Sequence, residues 1–290
     1  MKLSKGERIF QGINCFMLTF FGILTLYPFW DVIRISLCDA AEASRMVFSI
    51  WPEKPTFYSY GRVLSNSFTW LGYENTALRV VLGVSIQLLL MVLFSYPISK
   101  KNIPHRNGIT LFAVFTMFFS GGLIPEYLLI RNLGLYDTIW SLVLPAAIPT
   151  FSMLIMRNYF MSLPVELEES AKIDGASEIR ILAVIVLPVS MPIIATVALW
   201  GVVGHWNAWF DCLIYIKDPK KIVLQAVLRK IIYEAAPAYS ATDTSESVTN
   251  MTSETVKAAA IIVATAPVMC LYPFLQKYFI KGILVGSLKG

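Results

Sequence analysis

Residues able to do chemistry are concentrated in one place. Between Glu166 and Arg180 the chain reads ELEESAKIDGASEIR, with Glu166, Glu168, Glu169, Lys172, Asp174, Glu178 and Arg180 charged, and it runs on into the apolar stretch ILAVIVLP. Carboxylates and cations at this density can move protons, hold a metal or dock on a charged partner. Acid–base catalysis calls for paired carboxylates in a sheltered cleft; the apolar segments hold almost no Asp, Glu or Lys and no HExxH. Cys15, Cys38, Cys212 and Cys270 show no C-x-x-C spacing and have no histidine cluster nearby, so a zinc site is not expected. There is no GxxxxGK[ST] and no Gly-Lys dipeptide, so the chain itself lacks the usual phosphate cradle. No catalytic residue, metal ligand or bound cofactor is assigned. What is left for the charged stretch is docking or plain solvation.

Its local pattern predicts how. Pro164 suits the first turn of a helix, where a missing N–H costs nothing. Glu166, Glu168 and Glu169 then favour the helix N-terminus electrostatically. Leu163, Leu167, Ser170, Ala171 and Asp174 recur at helical spacing. Gly175 permits a turn that a Cβ would resist, and a second helix starts at Ala176 or Ser177. The product is a short helix, a sharp turn and a long apolar helix attached to it, which can take a push from a partner and pass it on. A merely solvated amphipathic loop fits helix physics equally well.

The elements that carry this elbow are apolar. The chain of 290 residues is 56% hydrophobic and 15% charged, where soluble domains carry about a quarter charged residues; mean hydropathy is +0.63. Its length fits one domain spanning residues 1–290. A membrane helix needs about 20 apolar residues, and six segments come close, at about 9–30, 78–98, 109–130, 139–156, 181–203 and 256–279. The third is interrupted by Ser120, Gly121, Gly122 and Pro125; the fifth carries Pro188 and Pro192, where a bend is expected. The basic, then apolar N-terminus continues to Trp30 without an A-x-A site, which predicts an uncleaved first span. Lys100, Lys101 and Arg106 in the short loop SKKNIPHRN, with Lys2, Lys5, Arg8, Lys281 and Lys289 in the tails, place both termini and the segment 162–179 in the cytoplasm. The net charge of +5 is therefore topology signalling; no basic groove interleaved with aromatics suggests nucleic acid. Two long loops face out, 31–77 and 211–255. In the second, IVLQAVLRKII is the amphipathic part, whereas SATDTSESVTNMTSET cannot bury much apolar surface. Cys38 and Cys212 both fall on the outer side, where a disulfide between them is an unfavoured alternative to free thiols.

Glu169-Ser170-Ala171, then Gly175, then Ile185 and Leu187-Pro188 is similar to the EAA motif of binding-protein-dependent ABC importers, which is EAA, three residues, G, nine residues, I-x-L-P. Ser170 in place of an alanine is the one departure. The resemblance covers almost the whole chain and is to the carbohydrate permeases of the MalG-like branch, particularly the complex-oligosaccharide group. Asn75-Thr76, Leu133-Gly134-Leu135 with Asp137-Thr138, Trp206-Asn207 and the ending GILVGSLKG also match the family pattern. The resemblance implies an all-α, six-span type I ABC importer permease in a bacterial inner membrane. It implies that Glu166, Glu169, Ser170, Ala171, Asp174, Gly175, Ile185, Leu187 and Pro188 form the coupling element for a cytoplasmic ATPase dimer. That dimer would use ATP and Mg. The further implied partners are a second homologous permease, an extracellular solute-binding protein reached by some part of residues 217–255, a saccharide and membrane lipid.

A saccharide path needs aromatic faces and hydrogen-bonding groups. Gln87, Trp200, His205, Trp206, Asn207 and Trp209 are the candidates. The tryptophans fit an interfacial belt somewhat better, and Gln87 fits interhelical hydrogen bonding. From the residues alone, an ion-coupled carrier needing no ATPase stays open as an alternative function, although such carriers keep ionisable groups within their spans. A non-transporting membrane scaffold or sensor stays open as well.

Overall fold

The computed structural model describes residues 5–45, 49–238 and 252–287, and every regular element among them is a helix. The chain divides into two compact units, Met1–Thr69 with Leu228–Ala266, and Trp70–Val227 with Pro267–Gly290.

In the first unit, α1 (Lys5–Leu37) is followed by α2 (Ala40–Ser44) and α3 (Tyr58–Leu64). None of the most apolar 18-residue window of α1 is buried inside the chain. Phe10, Phe16, Phe20, Leu26 and Phe29 all stand exposed, as expected of a helix that meets hydrocarbon rather than a protein core. Past α1 the chain is tied down by polar contacts. Asp39 caps α2 by accepting the Glu42 N–H at 2.8 Å. The Thr56 N–H donates to the Leu37 carbonyl at 2.8 Å, and the Ser36 and Tyr60 hydroxyls lie 2.7 Å apart.

The second unit is organised around α4 (Ser67–Ser99), which starts three residues earlier in the chain, and contains α5 (Arg106–Phe118), α6 (Leu123–Asn132), α7 (Trp140–Val143) and α8 (Thr150–Met161). Next come α9 (Glu166–Ile173), α10 (Glu178–Ile181), a π-helical turn Leu182–Val186, α11 (Leu187–Val189), α12 (Met191–Asn207) and α13 (Phe210–Tyr215). Both α14 (Leu224–Ala238) and α15 (Ser253–Ser287) have residues in each unit.

The six expected spans are not six uninterrupted helices. Among the described residues three helices are long and apolar enough to cross a membrane: α1, α4 and the part of α15 up to Cys270. Two bent pairs raise the number to five. The third expected span breaks between α5 and α6 with a 112° bend, where Ser120-Gly121-Gly122 leaves the helix and Gly122 takes a φ of +85°. The fifth bends by 80° at Ser190. Pro188 has no N–H, and its ring crowds the carbonyl four residues back; the widened π turn sits immediately before it. The fourth divides into α7 and α8 because Pro145 and Pro149 interrupt the intervening residues.

The core of the second unit joins α4, α8, the elbow and α12. Met91, Val92, Tyr96, Met153, Met156, Phe160, Ala171, Ile181, Val186 and Val197 are buried together. The Ser95 hydroxyl donates to the Met153 carbonyl at 3.0 Å, linking α4 to α8. α4 also packs closely on α12: a Cβ on Gly83 would lie 2.5 Å from the His205 ring, and one on Gly201 would lie 2.8 Å from Gln87 Oε1.

Candidate functional site

The charged segment folds as a helix, a left-handed turn and a second helix. α9 is short because its last turn closes in a Schellman motif. The Ala176 N–H donates to the Ala171 carbonyl and the Gly175 N–H to the Lys172 carbonyl, both at 3.0 Å. Gly175 has a φ of +79°, which glycine adopts at no steric cost. Ser177 then caps α10, its hydroxyl accepting the Arg180 N–H at 3.4 Å. α9 itself starts at Glu166, two residues after Pro164, with three glutamates in its first turn.

One face of the elbow is anchored and the other is free of this chain. Ala171 and Ile181 enter the core beside Tyr96 and Phe160. Glu168 forms an ion pair with Lys100, just past the end of α4. The Lys100 ammonium also sits 4.2 Å from the centre of the Tyr96 ring. The Tyr96 hydroxyl donates to Glu178 Oε2 at 3.3 Å, and Lys172 pairs with Glu178 Oε1 at 2.6 Å. Its hydrogen bond to Glu178 holds the Lys172 ammonium above its ordinary pKa. Of the expected docking residues, Glu166, Glu169, Ser170, Asp174 and Gly175 are exposed, Ala171 is buried, Ile185 and Leu187 are half-buried, and Pro188 is exposed. Ile173 and Ile179 accompany them, 87% and 80% exposed. The outward face is therefore acidic with two bare isoleucines, chemistry suited to a protein groove lined by cations and apolar side chains.

Tyr96, Lys100 and Glu178 do not figure in the sequence-based set. The signal for Lys100 was its place in SKKNIPHRN, which reads equally well as topology signalling.

The saccharide-path candidates scatter. Gln87 and His205 are 3% and 5% exposed and fill the α4–α12 contact described above. Trp206 is buried and packs 6.2 Å from Tyr73, and Trp209 packs 5.6 Å from Phe210. Trp200 and Asn207 are exposed. A half-buried ion pair near them was not anticipated: Arg79, 2% exposed, pairs with Asp211, 29% exposed, and donates to the Ala208 carbonyl at 3.3 Å. Cys38 and Cys212 are both buried free thiols. Residues 240–251 of the polar stretch after α14, and residues 288–290 of the glycine-rich tail, lie outside the described residues. Among the described residues no group of three or more His, Cys, Asp or Glu could hold a metal ion.

Known proteins share this architecture. The family described as binding-protein-dependent transport system inner membrane component matches residues 10–285. Protein LplC of Bacillus subtilis is 41% identical over 100% of this chain and 98% of its own length. The polygalacturonan/rhamnogalacturonan transport system permease protein YtcP of the same organism is 35% identical over 98% of this chain and 99% of its own. A chain in the crystal structure of a bacterial ABC transporter involved in import of the acidic polysaccharide alginate superposes with a TM-score of 0.83 at 32% identity, covering 96% of this chain and 99% of that one. Neither an ion-coupled carrier nor a scaffold is consistent with these matches. The chain belongs to the binding-protein-dependent transport system inner membrane component family: it is a multi-pass, all-α permease subunit of an ABC importer, a transport protein whose ATP hydrolysis is done by a separate subunit.

Proposed function

We propose that this permease carries oligosaccharides or polysaccharide fragments across a bacterial inner membrane, and that the elbow 162–179 is its coupling element. The observation that carries the second part is the division of the elbow. One face is fixed to α4 and the core through Ala171, Ile181 and the Lys100–Glu168 pair. The other presents Glu166, Glu169 and Ile173 to a partner. A groove on a cytoplasmic ATPase dimer using ATP and Mg takes that face, with Glu169 paired to a basic residue. The saccharide assignment is supported by the polygalacturonan/rhamnogalacturonan and alginate transporters that the chain resembles.

In this reading the single domain 1–290 crosses the membrane six times, with the α5–α6, α7–α8 and α11–α12 breaks lying within crossings. Both termini are cytoplasmic, some part of residues 217–255 meets an extracellular solute-binding protein, and a second homologous permease completes the pore. Breaks in membrane helices are tolerated where they are buried in protein or line a cavity. Trp200 and Asn207 are the path candidates with free surface; Gln87, His205, Trp206 and Trp209 shape the helices behind them.

The test combines E169K with G175V. Loss of ATPase co-purification from detergent, together with loss of uptake of labelled galacturonan or alginate oligosaccharides, is expected. Uptake and ATPase association both surviving in that variant would sink the coupling assignment.

A further inference from the structure

The outer end of α4 carries a second set of polar anchors that the elbow does not use. Asn75 Nδ2 donates to the Lys220 carbonyl at 2.8 Å and the Ile222 carbonyl at 3.1 Å. The hydroxyl of Thr76, fully buried, accepts the N–H of Leu224 at 2.9 Å. Leu224 is the first residue of α14, so its N–H has no partner within the helix; here a different helix supplies the cap. One turn earlier, a Cβ on Gly72 would lie 2.9 Å from the Leu224 Cα, so the chain at that point rests directly on α4. Asp137 holds the same segment as well. Its Oδ1 accepts the Lys217 and Asp218 N–H groups, each at 3.0 Å, and its Oδ2 pairs with Lys221 at 3.0 Å.

Between these anchors and those of the elbow, α4 is unbroken. Its 33 residues span about 50 Å at 1.5 Å per residue. The neighbouring elements break at Phe118–Leu123 and at Ser190; α4 stays one helix, and Pro97, its one residue without an N–H, lies past Tyr96 at the elbow end. A continuous hydrogen-bonded helix passes a displacement along its axis, whereas breaks absorb it. Tyr96 and Lys100 tie its inner end to the elbow, and Asn75 and Thr76 tie its outer end to the start of α14.

We propose that α4 is a strut between the coupling elbow and the base of α14, and that Asn75 and Thr76 are positioning residues for transport. They seat residues 217–224 on the strut, so that motion at the elbow reaches the outer loop. This rests on the coupling assignment above. The physical warrant is a contiguous element fixed at both ends, and energetic coupling along it is what an experiment must show.

The experiment is hydrogen exchange by mass spectrometry on the complex purified from membranes with its co-purifying ATPase, with and without ATP plus vanadate. In the wild-type complex, peptides covering 163–180 and 217–228 both change exchange on adding ATP and vanadate. In T76V, and independently in N75D, the 163–180 response persists while the 217–228 response disappears. The Leu224 amide in T76V exchanges about five-fold faster in the absence of nucleotide, the loss of one buried hydrogen bond. T76S, which keeps the hydroxyl, retains both responses. Two results overturn the strut: a wild-type elbow response with none at 217–228, or a 217–228 response that survives in T76V and N75D. A wild-type complex in which nucleotide leaves 163–180 unchanged instead overturns the coupling assignment, and the strut with it.

Discussion

Lys100 and Glu168 form an ion pair that joins the C-terminal end of α4 to the first turn of α9. Both side chains are sheltered, 23% and 14% exposed, and the ammonium also lies over the Tyr96 ring. A pair this sheltered is worth more than a surface bridge, and removing one partner leaves the other poorly solvated; about 1–2 kcal/mol is at stake. K100E places two carboxylates together and is expected to free the elbow from α4. Vanadate-sensitive ATPase activity in the assembled complex should then run uncoupled from uptake. The swap K100E/E168K should restore uptake towards wild type, and a double-mutant cycle gives the pair its value. A swap no better than K100E alone would show that the pair does not fix the elbow.

Gly175 is needed for its backbone and not for space. Its φ is +79°, and a Cβ there would meet no other atom of this chain within 4 Å. Replacement therefore costs conformational energy of roughly 1–2 kcal/mol for a β-substituted residue, and less for asparagine, which tolerates the left-handed region. G175N is expected to keep the elbow and G175V to lose it. Protease sensitivity of the 170–180 segment in the detergent-solubilised permease separates the two. Equal cleavage of G175N and G175V would mean that the turn does not depend on this residue's left-handed conformation.

The elbow was legible because its signals are local. Three glutamates in one turn, Gly175 and Ser177 each act within four residues, and the structure uses each as its type suggests. The helix breaks were legible as residues but not as angles. Ser120-Gly121-Gly122 and Pro188 mark where a helix fails, whereas bends of 112° and 80° depend on what each half packs against. The polar ties were not legible. Lys100 and Glu168 are 68 residues apart, and Thr76 and Leu224 are 148 apart; nothing in either neighbourhood names the other. Gln87 and His205 stood out as polar groups in apolar surroundings, and their burial against Gly201 and Gly83 is a property of helix pairing that one sequence does not display.

The α4–α12 contact makes an ordered pair of predictions. A methyl on Gly83 would overlap the His205 ring at 2.5–2.8 Å, and a ring cannot flex away. A methyl on Gly201 would meet chiefly the Gln87 amide oxygen at 2.8 Å, the far end of a rotatable side chain. G83A should therefore cost about 1–3 kcal/mol, as overpacking does, and G201A less. Thermal unfolding in detergent should show the larger fall in Tm for G83A. Adding H205A to G83A should recover part of that loss, because the ring causes the overlap. An additive double mutant would mean that the two residues are not in contact.

Asp137 links the start of α7 to the segment before α14, and its protonation sets a pH limit on that link. N–H groups of Asp218 and Lys217 and the Lys221 ammonium hold its carboxyl below the ordinary carboxylate value, the Asp218 bond contributing most. Asp137 itself sits at a φ of +58°, a left-handed conformation that aspartate tolerates. A carboxyl lowered on folding adds stability that is complete above its unfolded value, about 4, and is lost as pH falls through the lowered folded value. D137N keeps a carbonyl acceptor but loses the charge. The difference in Tm between wild type and D137N should be constant at neutral and mildly acidic pH, and should close only below about pH 4. A gap that stays constant to still lower pH would show that the charge on Asp137 contributes nothing to holding residues 217–221.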